Sequence, residues 1–142
     1  MAGVLAIDVG TQRSGFAVAD ALRIATQPLE GCPAGEDAPE LLDHVARLLA
    51  ERDVDTLLVG LPRNMDGGEG ARAAAVRRFA ARLAARFPSL RLVLWDERLT
   101  TKAAEELLRE AGFSGRAAKG RKDSWSALVL LRDWMESGEP PA

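Results

Sequence analysis

A single carboxylate interrupts an apolar run near the start of the chain. Val4-Leu5-Ala6-Ile7-Asp8-Val9 is apolar at every position but Asp8, and Gly10 closes it. Such a run reads as a short buried strand. A carboxylate inside one is costly unless it is paired, hydrogen-bonded or bound to a cation. Helix caps and solvated faces do not occur in the middle of an apolar strand. Asp8 is therefore either half of a buried ion pair or a functional ligand, and the second reading is preferred.

The rest of the chain arranges itself around that strand. Residues 11–14 read as a turn and 15–19 as a second apolar run, so the pair forms a hairpin. Residues 24–29 add a third strand, and 31–39 form a loop. Leu41, Leu42, Val45, Leu48 and Leu49 fall at helical spacing within 40–51. Residues 56–61 form a strand, 62–70 a glycine-rich loop and 71–87 a helix that Pro88 stops. Residues 90–95 form another strand and 101–111 a helix. Residues 113–122 read as a basic loop, and 123–135 as the last helix with a frayed tail beyond 136. Early hairpins followed by alternating helices and strands predict a mixed sheet flanked by helices.

The chain has 142 residues, with no repeat and no dividing linker, which fits one domain. Its one cysteine, Cys32, permits no intramolecular disulfide, in agreement with a reducing cytoplasm. No segment has the pattern of a signal peptide, and no apolar run approaches the ~20 residues of a membrane span. The expectation is a soluble, cytoplasmic protein.

Net charge is −2, so bulk charge predicts no polyanion partner. Its distribution says more. Residues 71–94 carry six arginines (Arg72, Arg77, Arg78, Arg82, Arg86, Arg91) and no acid. Residues 113–122 add Arg116, Lys119, Arg121 and Lys122, again with no acid. Such polarity can set a basic face against nucleic acid, although it can equally be ordinary solvated helix surface. Arg72, Arg78, Arg82 and Arg86 share about a third of the helix circumference. They read as an exposed stripe facing phosphates or a second copy of the chain in a homodimer. His44, the one histidine, reads as a surface residue, and Trp95 as core.

Two further acids complete the pattern begun by Asp8. Glu97 follows the strand at 90–95 directly, and Asp123 opens the last helix. Acids distant in sequence but placed at element ends can converge, and three carboxylates make an oxygen-rich site suited to Mg2+ or Mn2+. Two such ions can activate water and stabilise the leaving oxygen of a phosphodiester. Asp123 taken alone would read first as a helix N-cap. The loop at 62–70 follows a strand, precedes a helix and carries Arg63 and Asn64, a setting that favours anions. It lacks the spacing of a nucleotide-binding P-loop.

Taken together the motifs are specific. Ile7-Asp8-Val9-Gly10 with Arg13, Gly15, Ala17 and Asp20 comes first. Val59-Gly60-Leu61-Pro62 with Asn64-Met65-Asp66-Gly67 and Glu69-Gly70 follows. Asp96-Glu97-Arg98-Leu99-Thr100-Thr101 and Asp123-Ser124 with Ala127 complete the set. In this order they resemble the YqgF family, also called RuvX, over nearly the whole chain from Val4 to Trp134. That family comprises proteins assigned as Holliday-junction resolvases and as nucleases maturing pre-16S ribosomal RNA. The resemblance implies a ribonuclease-H-like α/β fold, a five-stranded mixed sheet flanked by helices. It implies a metal triad of Asp8, Glu97 and Asp123, with Asp96 in support. Arg13, Arg63, Asn64, Arg98 and Thr100 would line the substrate side, with Lys119, Arg121 and Lys122 on a basic mobile segment. Trp125-Ser126 departs from the small apolar residues usual in relatives, and Arg63 stands where leucine is common.

The expected function is thus a metal-dependent nuclease acting on precursor rRNA or branched DNA. One rival is a catalytically idle RNA-binding or assembly module. A more distant one is a fragment of an ASKHA-type sugar kinase or ATPase, which would need a second lobe and an adenosine site.

Overall fold

A computed structural model describes residues 2–97, 102, 106, 109–110 and 115–141; over 115–123 it describes the helical backbone and not the side chains. The elements run β1 (Gly3–Val9), β2 (Ser14–Ala19), β3 (Thr26–Cys32), α1 (Pro39–Ala50), β4 (Val54–Leu61), α2 (Ala71–Arg86), β5 (Arg91–Asp96) and a last helix, here α3 (Gly115–Glu136). The expected helix at 101–111 lies almost wholly outside the described residues; Lys102, Glu106, Arg109 and Glu110 within it are helical.

The strands form one five-stranded sheet in the order β3-β2-β1-β4-β5. β1 pairs antiparallel with β2, and β2 with β3, as the hairpin reading requires. β1 and β4 are parallel, as are β4 and β5, because helices carry the chain back between them. The mixed sheet is therefore as expected. β3 begins two residues later than expected and runs on to Cys32.

Strand alternation sorts the apolar residues into two layers. Leu5, Ile7, Val9, Phe16, Leu57, Val59 and Leu61 face α1 and α2, meeting Leu41, Val45, Leu48, Val76, Phe79 and Leu83. Val4, Ala6, Ala17, Ala19, Leu58 and Val93 face α3, meeting Ala127, Leu128, Leu130, Leu131 and Trp134. Small alanines on this second face admit the bulk of Trp134, which is fully buried. Trp95 is only partly buried at its edge, where its indole N–H donates to Asp133 Oδ2 at 2.8 Å.

Three expectations are corrected. α3 begins at Gly115, so the basic segment at 115–122 is helical rather than a loop, and Asp123 lies inside the helix and is not its N-cap. Ala117, Ala118, Lys119 and Lys122 are good helix formers, and their sum outweighs Gly120. His44 is buried, not a surface residue: its Nε2 lies 3.1 Å from Glu30 O and its ring centroid 4.8 Å from that of Phe16. Three of the four stripe arginines of α2 are engaged within the fold, while Arg78 is exposed. Arg72 pairs with Glu36, Arg82 donates to Glu36 O, and Arg86 pairs with Asp43 on α1 at 3.1 Å. Long side chains reach across to the acid-rich 36–43 segment, which satisfies both charges. In the tail, Trp134 Nε1 donates to Pro140 O at 3.0 Å and Arg23 pairs with Glu139 at 2.9 Å.

Candidate active site

Parallel pairing brings the ends of β1, β4 and β5 to one edge of the sheet. Ile7 lies opposite Val59, and Gly60 opposite Trp95, so Asp8, Gly60 and Trp95 occupy one level of three adjacent strands. By alternation Asp8 shares the α3 face with Val4 and Ala6. Glu97 N–H donates to Leu61 O at 3.2 Å, which carries the β4–β5 ladder one residue past β5 and fixes where the Glu97 side chain departs.

That side chain folds back over Gly60. A Cβ at Gly60 would overlap Glu97 Oε2 and approach Leu130 Cδ2 of α3 to 3.2 Å. Glycine here supplies missing volume, and a carboxyl group occupies it. The Glu97 carboxyl is hydrogen-bonded to that of Asp8. Two carboxyls in contact cannot both be ionised cheaply. Burial, then the Asp8 charge and the hydrogen bond to Asp8, push the Glu97 pKa up to about 9, against the opposing pull of Arg72.

Ser124, next in sequence to the third expected acid, is itself held in place. Ser124 is buried; its hydroxyl donates to Leu29 O at 2.6 Å and accepts from Phe16 N–H at 3.5 Å. Phe16 adjoins Gly15, the β2 partner of Asp8. The α3 backbone at 123 is thus anchored within one strand of Asp8, while the Asp123 side chain lies outside the described residues. Among the described residues, no three His, Cys, Asp or Glu side chains form a metal-holding group.

The expected substrate-side residues divide. Arg13 is exposed on the β1–β2 turn, at the same sheet edge as Asp8. Arg63 and Asn64 are exposed on the loop that leaves β4 there. That loop is a closed turn. Asn64 N–H donates to Gly68 O and Gly67 N–H to Asn64 O, both at 2.8 Å, with Gly67 at φ 89°. The Arg77–Glu69 ion pair at 2.7 Å ties its far end to α2 and holds the Glu69 carboxyl below its usual pKa. Arg98 and Thr100 lie outside the described residues, as do the side chains of Lys119, Arg121 and Lys122.

Sequence reasoning passed over Glu36 and misread Arg72. Glu36 sits in the loop before α1 and is 6% exposed. Its N–H donates to Gly10 O at 3.2 Å, and its carboxyl meets Arg72, whose Nη2 donates to Val9 O at 3.3 Å. Gly35-Glu36 beside a strand-closing Gly10-Thr11 offers no periodic signal, so only the structure brings them together.

Comparison with known proteins agrees with this architecture. The family model described as RuvX, Holliday junction resolvase, matches residues 2–137. A relative from Geobacillus sp. (strain WCH70), named "Putative pre-16S rRNA nuclease", is 41% identical over 135 residues, covering 94% of this chain and 97% of its own. A relative of the same name from Anaeromyxobacter sp. (strain Fw109-5) is 42% identical over 132 residues, covering 93% and 95%. Among solved structures, fowlpox virus resolvase with Holliday junction DNA aligns at TM-score 0.60 and 11% identity, covering 97% of this chain and 99% of its own. T. thermophilus RuvC with a Holliday junction substrate aligns at TM-score 0.57 and 12% identity, covering 99% of each. At these identities the two structures speak for the fold.

Proposed function

The chain belongs to the RuvX family, and from that premise we propose that it is a divalent-metal-dependent nuclease, with Asp8, Glu97 and Asp123 as cation ligands and catalytic residues. The observation that carries this reading is the Asp8–Glu97 carboxyl pair, with the Glu97 carboxyl folded over the side-chain gap at Gly60. A like-charged pair destabilises a fold unless a proton or a cation lies between its members. All its donor atoms are oxygens, which suits Mg2+ or Mn2+ rather than a soft metal. Position 123 falls four residues before Ala127 and seven before Leu130, both buried against the sheet, so helical period favours Asp123 as the third ligand.

A cation held there would supply the Lewis acidity that makes water a nucleophile near neutral pH and stabilises the leaving oxygen. The chain's own part is to hold two carboxyls at fixed strand ends and to present phosphate donors around them. Arg13, Arg63 and Asn64 rim the same sheet edge; Arg98, Thr100, Lys119, Arg121 and Lys122 extend that surface in our reading. Contacts of this kind orient the backbone and carry no sequence information.

Precursor 16S rRNA is the preferred substrate, because the relatives that carry that name match at about 40% identity over nearly their full length. Branched DNA is the second reading, favoured by the family description. Cys32 is buried with its thiol pKa raised by burial, which suits a reducing cytoplasm.

The test is a cleavage assay on a 16S precursor fragment, a matched four-way junction and single-stranded DNA, with Mg2+ or Mn2+ and no nucleotide. Metal-dependent cleavage of the precursor supports the reading, and preferential cutting of the junction selects the second. Tight binding without cleavage under any metal identifies an idle binding module instead.

A further inference from the structure

Just behind the carboxyl pair lies a cluster that the proposed chemistry does not use. Glu36 is 6% exposed, and its Oε2 is buried without a hydrogen-bond partner. Its Oε1 meets Arg72 Nη1, and the other fork of Arg72 donates to Val9 O at 3.3 Å. Glu36 N–H donates to Gly10 O at 3.2 Å, and Arg82 donates to Glu36 O. A Cβ on the preceding Gly35 would overlap Thr11 O, so this loop lies directly on the turn that follows Asp8. One guanidinium and one peptide N–H thus hold the two carbonyls immediately after Asp8.

Folding alone does not call for this arrangement. A buried carboxylate with half its acceptors unused is a poor source of stability, and apolar side chains of similar size commonly do as well or better. Arginine in particular is suited to hold two acceptors in one plane, which lysine cannot do. The fork arises on the first turn of α2, directly after the loop carrying Arg63 and Asn64, and ends on the strand carrying Asp8. It also lies close enough to Glu97 for its charge to oppose the rise in that carboxyl's pKa.

We propose that Arg72, backed by the buried Glu36, is a positioning residue: it fixes the end of the Asp8 strand relative to α2, so that the Asp8–Glu97 pair is set for a divalent cation. This rests on the metal-dependent reading above. Arg72 touches neither cation nor substrate in this account; it acts through the Val9 carbonyl. Partners one step removed from a metal ligand typically change metal affinity or turnover by about 10–100-fold when replaced.

The test compares the full-length protein with Arg72→Lys and Glu36→Gln. Mn2+ binding is measured by titration calorimetry, melting temperature without metal, and kcat and KM on the 16S precursor fragment. Arg72→Lys keeps the charge and loses the fork; Glu36→Gln keeps the shape and loses the ion pair. We expect Mn2+ affinity and kcat to fall by roughly tenfold or more in both, with KM changed less than about twofold. Melting temperatures that drop while Mn2+ affinity and kcat stay at wild-type values would make the pair purely structural and overturn the proposal. A rise in KM at constant kcat would place Arg72 on the substrate and overturn it too. A wild type that neither binds Mn2+ nor cleaves would sink the reading beneath it; a wild type that does both, beside variants that match it, would sink this inference alone.

Discussion

The two ends of the sheet use their charged residues in opposite ways. At the end where β2 turns into β3, the charged side chains of the turn, Asp20 and Arg23, are spent on structure. Asp20 Oδ1 accepts Ile24 N–H at 2.8 Å and Ala25 N–H at 3.0 Å. Arg23, held at φ 59°, donates to Ala2 O, Asp20 O and Ala21 O and pairs with Glu139 of the tail. Opposite charges meet, and carbonyls find donors. At the far end, where β1, β4 and β5 stop, the Glu97 carboxyl lies over Gly60 and interacts with that of Asp8. The first end can be understood from folding alone. The second carries a like-charged pair whose cost a proton or, in our proposal, a cation offsets.

Substitutions at each end should therefore separate activity from stability. The largest effect is expected from Gly60→Ala. The new methyl would displace the Glu97 carboxyl, a flexible group, and crowd Leu130 only slightly. Cleavage should fall by about 100-fold or more while the melting temperature stays within a few degrees. Unchanged cleavage would mean that Glu97 is not needed where it stands.

Next in size is the response to pH. The Glu97 pKa is raised, to about 9, against an ordinary 4.5. A carboxyl that holds its proton more tightly when folded stabilises the fold at low pH, and that contribution drains away as pH climbs towards the folded value. The metal-free protein should therefore lose melting temperature steadily between pH 5 and 9. Mn2+ competes with that proton, so the stabilisation it confers should grow over the same range. A metal-free profile that is flat there, or metal stabilisation that shrinks as pH rises, would contradict the pairing of these carboxyls.

The other end should show the converse. Arg23→Ala removes several charge-assisted contacts and should cost ~2 kcal/mol in urea unfolding while kcat stays at its wild-type value. Asp20→Ala, which strands two backbone N–H groups at an exposed turn, should cost about 1 kcal/mol, again with normal cleavage. A loss of cleavage in either would show that the ends are coupled and that the contrast is false.

Much of this was legible in the sequence because it rests on local rules. Strand β1 with its lone carboxylate, the hairpin that follows and the helix–strand alternation all carry their own periodicity. What was misread depends on partners distant in the chain. His44 sits three residues after Leu41 and four before Leu48, so its place on the buried stripe was visible, but its polarity spoke louder than its spacing. Arg72 and Arg86 looked free because their partners, Glu36 and Asp43, lie more than 35 residues earlier. Gly115 and Gly120 suggested a loop at 113–122, where α3 already runs from Gly115. Glu36 gave no sign at all: a glutamate between Gly35 and Asp37 reads as solvated until a turn closes over it.

In our proposal Asp8 exists for a cation. Replacing it with asparagine keeps the shape and one acceptor oxygen and removes the negative charge. The decisive measurement follows Asp8→Asn beside the wild type, by cleavage time course with Mn2+ and by melting curve, on the same preparations. We expect cleavage to disappear while the melting temperature of the metal-free protein holds or rises, since one of two opposed carboxyls has gone. Wild-type cleavage at native stability would contradict it. So would lost cleavage with a collapse of about 3–5 kcal/mol, the mark of a stranded partner in a buried structural ion pair.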